Sequence, residues 1–213
     1  LWTDWYENGQ KKSEGNLYDG DKDGIGMWWY SNGEKKSEGT FMDGEKDGLW
    51  NDWYENGKKK SEGTFMDGEK DGLWTDWYEN GKKKSEVNYK DYLKNDRWLF
   101  WYSNGRKELE EFYSNGRLNG LQTNWYKNDK KESEINWRDG DKDGIGMWWY
   151  LNGEKKSEGN FKDGEKDGIW LLYDESGHKV SEKNYVNGEE GKLYIECYEN
   201  GQKKSEKIYR DDV

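Results

Sequence analysis

The 213-residue sequence contains no proline, a single cysteine and a single histidine. Without proline, every turn has to be made by glycine together with Asn or Asp. Cys197 alone excludes an internal disulfide framework and gives no indication of redox compartment. His178 alone argues against a histidine-based zinc site and against a histidine general base. Aliphatic residues are also scarce: 30% of the chain is hydrophobic and 17% is aromatic, so rings make up more than half of the apolar class. No apolar run approaches the ~20 residues of a membrane-spanning helix. A basic excess is missing as well, since the formal net charge is −11, which argues against nucleic acid as a partner. The chain begins at Leu1, inside a repeat, and is expected to be a fragment. A targeting signal would then lie outside it, leaving surface, secreted and cytoplasmic locations open.

What is abundant is ring and turn: 15 Trp, 16 Tyr and 28 Gly. Disordered chains are poor in aromatics, whereas each large ring here can remove ~150–250 Å² from water. A thin, aromatic-lined structure is the expected product. The segment WYENGKKKSEG at 53–63 returns as WYENGKKKSEV at 77–87, and Asn8-Gly9, Asn32-Gly33, Asn56-Gly57, Asn80-Gly81 and Asn104-Gly105 are spaced by 24 residues. Asn128-Asp129, Asn152-Gly153, Ser176-Gly177 and Asn200-Gly201 continue the series without insertion or deletion. Nine repeats follow: 1–24, 25–48, 49–72, 73–96, 97–120, 121–144, 145–168, 169–192 and 193–213. They form one array over 1–213, read before anything else because the period decides the fold. A glutamate recurs in every repeat, from Glu14 to Glu206. DGDKDGIGMWWY at 19–30 returns at 139–150, the sign of a duplicated block. Departures cluster at Tyr92 and Asp96, around 109–128, and from Tyr173 onward, where a terminal cap is expected.

Asn-Gly between aromatic runs is a strong hairpin signal, because a type I′ turn needs positive φ at both central residues. With such a turn at Asn56-Gly57, Glu55 faces Lys58, Tyr54 faces Lys59, Asp52 faces Ser61 and Trp50 faces Gly63. Trp50, Tyr54 and Phe65 then share one face, and Trp53 and Glu62 the other. Trp50 reads as a ring covering the bare Gly63. A second turn over 68–71 would place Lys60 opposite Glu79 and Glu62 opposite Trp77. No window holds a helical period. The fold class is therefore all-β: an elongated array of hairpins in a twisted or curled antiparallel sheet, without helices. At two strands per repeat and ~4.8 Å per strand, nine repeats would extend ~85 Å.

The segment GLWTDWYENGKKKSEG with its DGEKDG turn resembles the bacterial variant of the MORN repeat over essentially the whole chain. That resemblance implies strings of β-hairpins, a non-catalytic binding role, and in some members an antitoxin label or a surface location. It does not imply a single partner, and the charge of −11 speaks against the membrane recognition in the family name.

Several features admit two readings. The glutamate column is either a ligand row or a set of in-sheet pairs and acceptors for Trp N–H groups. DGDKDG at 19–24 and 139–144 imitates the opening of a calcium loop, but Gly26 and Tyr30 stand where that loop needs an apolar residue and a glutamate. The plain turn is favoured, and no metal or other cofactor is expected. Lys58–Lys60 and Lys82–Lys84 would line a basic rim, and Asp43, Asp47, Asp67 and Asp71 an acidic one. These rims are solvated hairpin ends that protect sheet edges, or docking sites for a charged partner. The row Trp53, Trp77, Trp101, Trp125 and Trp149, at ~9.6 Å intervals, is the candidate binding surface if it is not simply core.

One His, one Cys and no aperiodic polar cluster leave nowhere to assemble an acid, a base and a nucleophile. The function expected is a scaffold that binds another protein or itself. The alternative is a carbohydrate or cell-wall binding module. MWWYSNGEKKSEG is similar to the aromatic hairpin repeats of choline- and glucan-binding domains, although those are shorter and lack Lys-Lys-Ser-Glu.

Overall fold

The computed structural model describes the backbone of residues 1–197 and 203–209 and the side chains of 1–191 and 205. Strands, turns and short connections account for all of it, with no helix among the described residues. The chain forms two compact units, Leu1–Arg117 and Leu118–Val213. The N-terminal unit contains β1 (Trp2–Trp5), β2 (Lys11–Tyr18), β3 (Asp21–Trp29), β4 (Lys35–Met42), β5 (Glu45–Trp53), β6 (Lys59–Met66), β7 (Glu69–Trp77), β8 (Lys83–Lys90), β9 (Leu93–Trp101) and β10 (Lys107–Ser114). Each pairs antiparallel with its neighbours in the chain, giving an open sheet in sequence order. The two-residue β11 (Arg117–Leu118) falls at the boundary. The C-terminal unit repeats the pattern with β12 (Gly120–Trp125), β13 (Lys131–Arg138), β14 (Asp141–Trp149), β15 (Lys155–Lys162), β16 (Glu165–Tyr173), β17 (Lys179–Val186), β18 (Glu189–Cys197) and β19 (Lys203–Tyr209). The turn at Asn200-Gly201 and the side chain of Cys197 lie outside the described residues.

The two turn signals exchange the roles expected of them. Asn56-Gly57 is not a type I′ turn: of this pair only Gly57, at φ 76°, is left-handed. The Tyr54 N–H donates to the Lys58 carbonyl at 2.8 Å, and the Gly57 N–H donates to the Tyr54 carbonyl at 2.9 Å. This is a three-residue loop ending on a left-handed glycine, the next commonest hairpin connection. Trp53 consequently meets Lys59, with a bulge beside Asp52, while Asp52–Ser61 and Trp50–Gly63 pair as expected. The type I′ turn is Asp67-Gly68, with φ of 50° and 78°, bracketed by the Met66–Glu69 pair. It lies at 67–68 rather than 68–71, so Glu62 comes opposite Thr75 instead of Trp77. The drifted repeat keeps the same turn without glycine: Asp91 and Tyr92 have φ of 51° and 64°, and the Tyr92 hydroxyl donates to Asp67 at 3.1 Å.

The second glycine of DGEKDG has a separate task. Between the pairs Thr64–Asp71 and Glu62–Thr75 the register of β6 and β7 slips, and Gly72 in that bulge has φ 64°. The extra length on β7 lets the Trp74 ring fold back over Gly63, where an added Cβ would lie 2.1 Å from the ring. Trp50 likewise covers Gly39, at 2.2 Å. Trp50 is thus a strand partner of Gly63, but it covers the glycine of the preceding repeat.

These rings form the core, on one face of each sheet. In the N-terminal unit Phe41 and Trp50 pack edge-to-face at 5.3 Å, Trp50 and Phe65 at 5.7 Å, and Phe65 and Trp74 at 4.9 Å. Tyr89, Trp98 and Tyr113 continue it. In the C-terminal unit Trp148, Phe161 and Trp170 repeat the arrangement. Trp50, Trp74, Trp98 and Trp170 are buried, although no described side chain is below 2% exposed. Offset and edge-on ring pairs suit the aromatic quadrupole, and they let a single layer hold itself together without an aliphatic interior.

Candidate functional site

The signature Lys-Lys-Ser-Glu is consumed by the sheet. Ser61 is buried and its hydroxyl donates to the Asp52 carboxylate at 2.7 Å. Ser13–Asp4 and Ser85–Asp76 repeat the bond. Lys59 forms an ion pair with Glu62 and reaches over the ring of Trp77 at 5.8 Å. The same pairing joins Lys35 to Glu38, Lys83 to Glu86, and Lys155 to Glu158. Among the described residues the glutamate column is therefore a set of in-sheet pairs; the side chain of Glu206 lies outside them. The column does not accept the N–H groups of the buried core tryptophans, which donate to backbone carbonyls: Trp50 to Thr40 at 3.0 Å, Trp74 to Thr64 at 2.9 Å, and Trp98 and Trp170 likewise. Lys59 and Lys83 consequently belong to the face and not to a free basic rim, and Lys60 and Lys84 lie about 6 Å from the rings of Tyr54 and Tyr78.

Tyrosine and asparagine tie one repeat to the next. The Tyr54 hydroxyl donates to the Trp77 carbonyl at 2.7 Å, and Tyr6, Tyr30, Tyr78, Tyr126 and Tyr150 make the same bond 23 residues along. Burial pushes the phenols of Tyr30, Tyr54 and Tyr78 upward, and nearby carboxylates, Glu55 for Tyr30 and Glu79 for Tyr54, add to the shift. Asn32 and Asn80 donate to the Glu55 and Ser103 carbonyls of the following turns at 3.3 and 2.8 Å. On the opposite edge the Gly68 N–H donates to the Lys46 carbonyl at 2.9 Å.

The candidate row Trp53, Trp77, Trp101, Trp125 and Trp149 is half-buried throughout, and by strand alternation it faces away from the Trp50–Trp74 core. Lys35 covers Trp53 at 5.4 Å and Lys131 covers Trp149 at 5.9 Å. Shallow open depressions adjoin the row at matching places in the repeat. One, of about 330 Å³, is lined by Gln10, Lys11, Trp29 and Gly33; the other, of about 540 Å³, by Trp149, Lys130, Lys131 and Asn152 with their neighbours.

A second row on the outer face escaped the sequence reading. Ile25, Leu49 and Leu73 are each more than half exposed, although Leu49's strand neighbour Trp50 is only 5% exposed and Leu73's, Trp74, only 4%. Ile145 and Ile169 hold the same place in the C-terminal unit. Their 24-residue spacing was the available signal, hidden beneath the louder aromatic period. Beside this row, Met42, Asp43, Glu45, Asp47 and Asp67 line a notch of about 100 Å³. Among the described residues no three His, Cys, Asp or Glu side chains are grouped to hold a metal ion. Asp21 and Asp23 of the DGDKDG segment sit two residues apart on β3.

The family of this architecture is shown by direct comparison. The chain matches the MORN repeat variant over residues 1–19, 22–43, 46–67, 70–91, 118–139, 142–163 and 166–187. It belongs to that family, and MORN repeats in a β-array are consistent with a non-catalytic scaffold. The unmatched stretch 92–117 includes the glycine-poor turn at Tyr92, yet β9 and β10 pair there as they do elsewhere. No curated protein matches the chain.

Proposed function

We propose that the chain is a non-catalytic scaffold that binds another protein through its outer face, using the tryptophan row and the charged turn rims. The observation that carries this reading is the division of labour between residues. Ser61, Asp52, Tyr54, Glu62 and the core rings each have a partner within the sheet, whereas the outer tryptophan row is only half-buried and Ile25, Leu49 and Leu73 are more than half exposed. Neutralisation of a toxin, display on a bacterial surface and self-association are special cases of this binding role. A pull-down with purified chain tests it: specific proteins should be retained, and Trp53→Ala with Trp77→Ala should release them. Retention that is indifferent to both the tryptophans and the rims would overturn it.

A second reading is favoured by the depressions at Trp29 and Trp149, where a ring lies beside Lys and Asn or Gln side chains. Such a floor with polar walls suits a sugar ring. A glycan array separates the readings, since ligands lost on Trp29→Ala and Trp149→Ala would mark a carbohydrate module.

A further inference from the structure

We infer that the Asp-Gly half of the outer face in the N-terminal unit docks a cationic amphipathic helix of a partner protein; this rests on the protein-binding reading above. Ile25, Leu49 and Leu73 form an exposed aliphatic row, one residue per two strands and so ~9.6 Å apart. Positions i and i+7 of an α-helix repeat every ~10.5 Å, so a helix laid along the row keeps its apolar side chains in step over three rungs. Met42 and Met66, also exposed, widen the stripe with side chains that adapt to an incoming surface.

Charge selects the occupant. Each strand places two acidic residues just before its aliphatic residue, as in Glu45, Asp47 and Leu49, and in Glu69, Asp71 and Leu73. The notch lined by Asp43, Glu45, Asp47 and Asp67 has the right sign and width for the head of a lysine or arginine. Among the described residues no three of these carboxylates are grouped to hold a metal ion, and the aliphatic row beside them suits a cation carried on an apolar side-chain face. The lysine of the same strand, Lys46, is turned to the other face, 4.1 Å from the Trp50 ring centroid, and does not neutralise them. An anionic helix would be repelled, and a cationic one without aliphatic side chains would leave the stripe uncovered.

Fluorescence anisotropy with a labelled amphipathic Leu/Lys peptide of about 18 residues, long enough to cross three rungs, tests the inference. The expected result is saturable binding that weakens at least ~10-fold for Leu49→Ser with Leu73→Ser, and again for Asp47→Asn with Asp71→Asn. It should also fall with rising salt. Lys46→Gln on the opposite face should leave it unchanged, and circular dichroism should show all variants folded. Equal binding of the peptide with Lys replaced by Glu, no binding at all, or indifference to the Leu and Asp pairs would overturn the inference. Loss of binding through Trp53→Ala and Trp77→Ala alone would overturn this surface while retaining the broader protein-binding reading. Self-association that blocks the peptide would overturn it in favour of a second copy as the occupant.

Discussion

Gly63→Ala should destabilise the N-terminal unit, although the backbone at Gly63 carries no positive φ that an alanine would strain. Alanine there gains ~0.4–1 kcal/mol by restricting the unfolded chain. Against this, its Cβ would fall 2.1 Å from Trp74, at the fused middle of the indole and not at a movable tip. The ring is fixed by its N–H bond to the Thr64 carbonyl at 2.9 Å, by Phe65 at 4.9 Å and 83°, and by Lys70 at 4.1 Å. Overpacking of this kind costs ~1–3 kcal/mol, so the net loss should be ~1–2 kcal/mol. The chain shows how the ring would yield: Val87 stands in the corresponding position, and there Trp98 meets Tyr89 at 65° and 5.3 Å. Urea unfolding followed by tryptophan fluorescence provides the assay, with Trp74→Leu and the double variant completing a cycle. The penalty should disappear once the ring is gone. A Gly63→Ala chain as stable as the parent, or a penalty that persists with Trp74→Leu, would refute the ring-over-glycine packing.

Glu62→Ala should lower the unfolding free energy by only ~0.2–1 kcal/mol, since the pair with Lys59 is partly exposed and such pairs are weak; a loss several-fold larger would show a burden the structure does not give it. Alkaline unfolding should follow the stapling phenols. Their pKa values are raised in the folded chain, so their stabilisation is complete below the unfolded value near 10 and is lost as pH rises through the folded values. Tyr54→Phe should flatten that alkaline decline in a pH series of thermal melts. EDTA should leave the melting midpoint unchanged, because the Asp-Gly segment is a hairpin turn followed by a strand and a bulge; a shift on adding calcium back would contradict this.

Period, strand order and the division of faces were legible because a 24-residue repeat without slips forces each column to one side of the sheet. Trp50 with Phe65 on one face and Trp53 with Glu62 on the other follow from alternation alone. Turn type was not legible, because Asn-Gly and Asp-Gly carry the same left-handed signal. Only the structure shows that Asn56 keeps ordinary backbone and uses its side chain to accept the Lys58 N–H at 3.1 Å. The covering of Gly39 by Trp50 was hidden for a related reason: the bulge at Gly48 adds residues between the pairs Gly39–Trp50 and Thr40–Asp47, and no alternation rule places a ring across it. At the candidate site, tryptophans dominated the reading, and the aliphatic column Ile25, Leu49 and Leu73 was passed over although its period is the same.

If the conspicuous repeated residues hold the sheet while the outer aliphatic row is free for a partner, two double variants should separate in one thermal-unfolding experiment. Tyr54→Phe with Tyr78→Phe removes two inter-repeat bonds, worth together ~1–3 kcal/mol, and should lower the midpoint clearly. Leu49→Ser with Leu73→Ser alters only exposed side chains and should move the unfolding free energy by no more than ~0.5 kcal/mol per site. A midpoint unchanged by the tyrosine pair, or lowered as far by the leucine pair, would contradict that division.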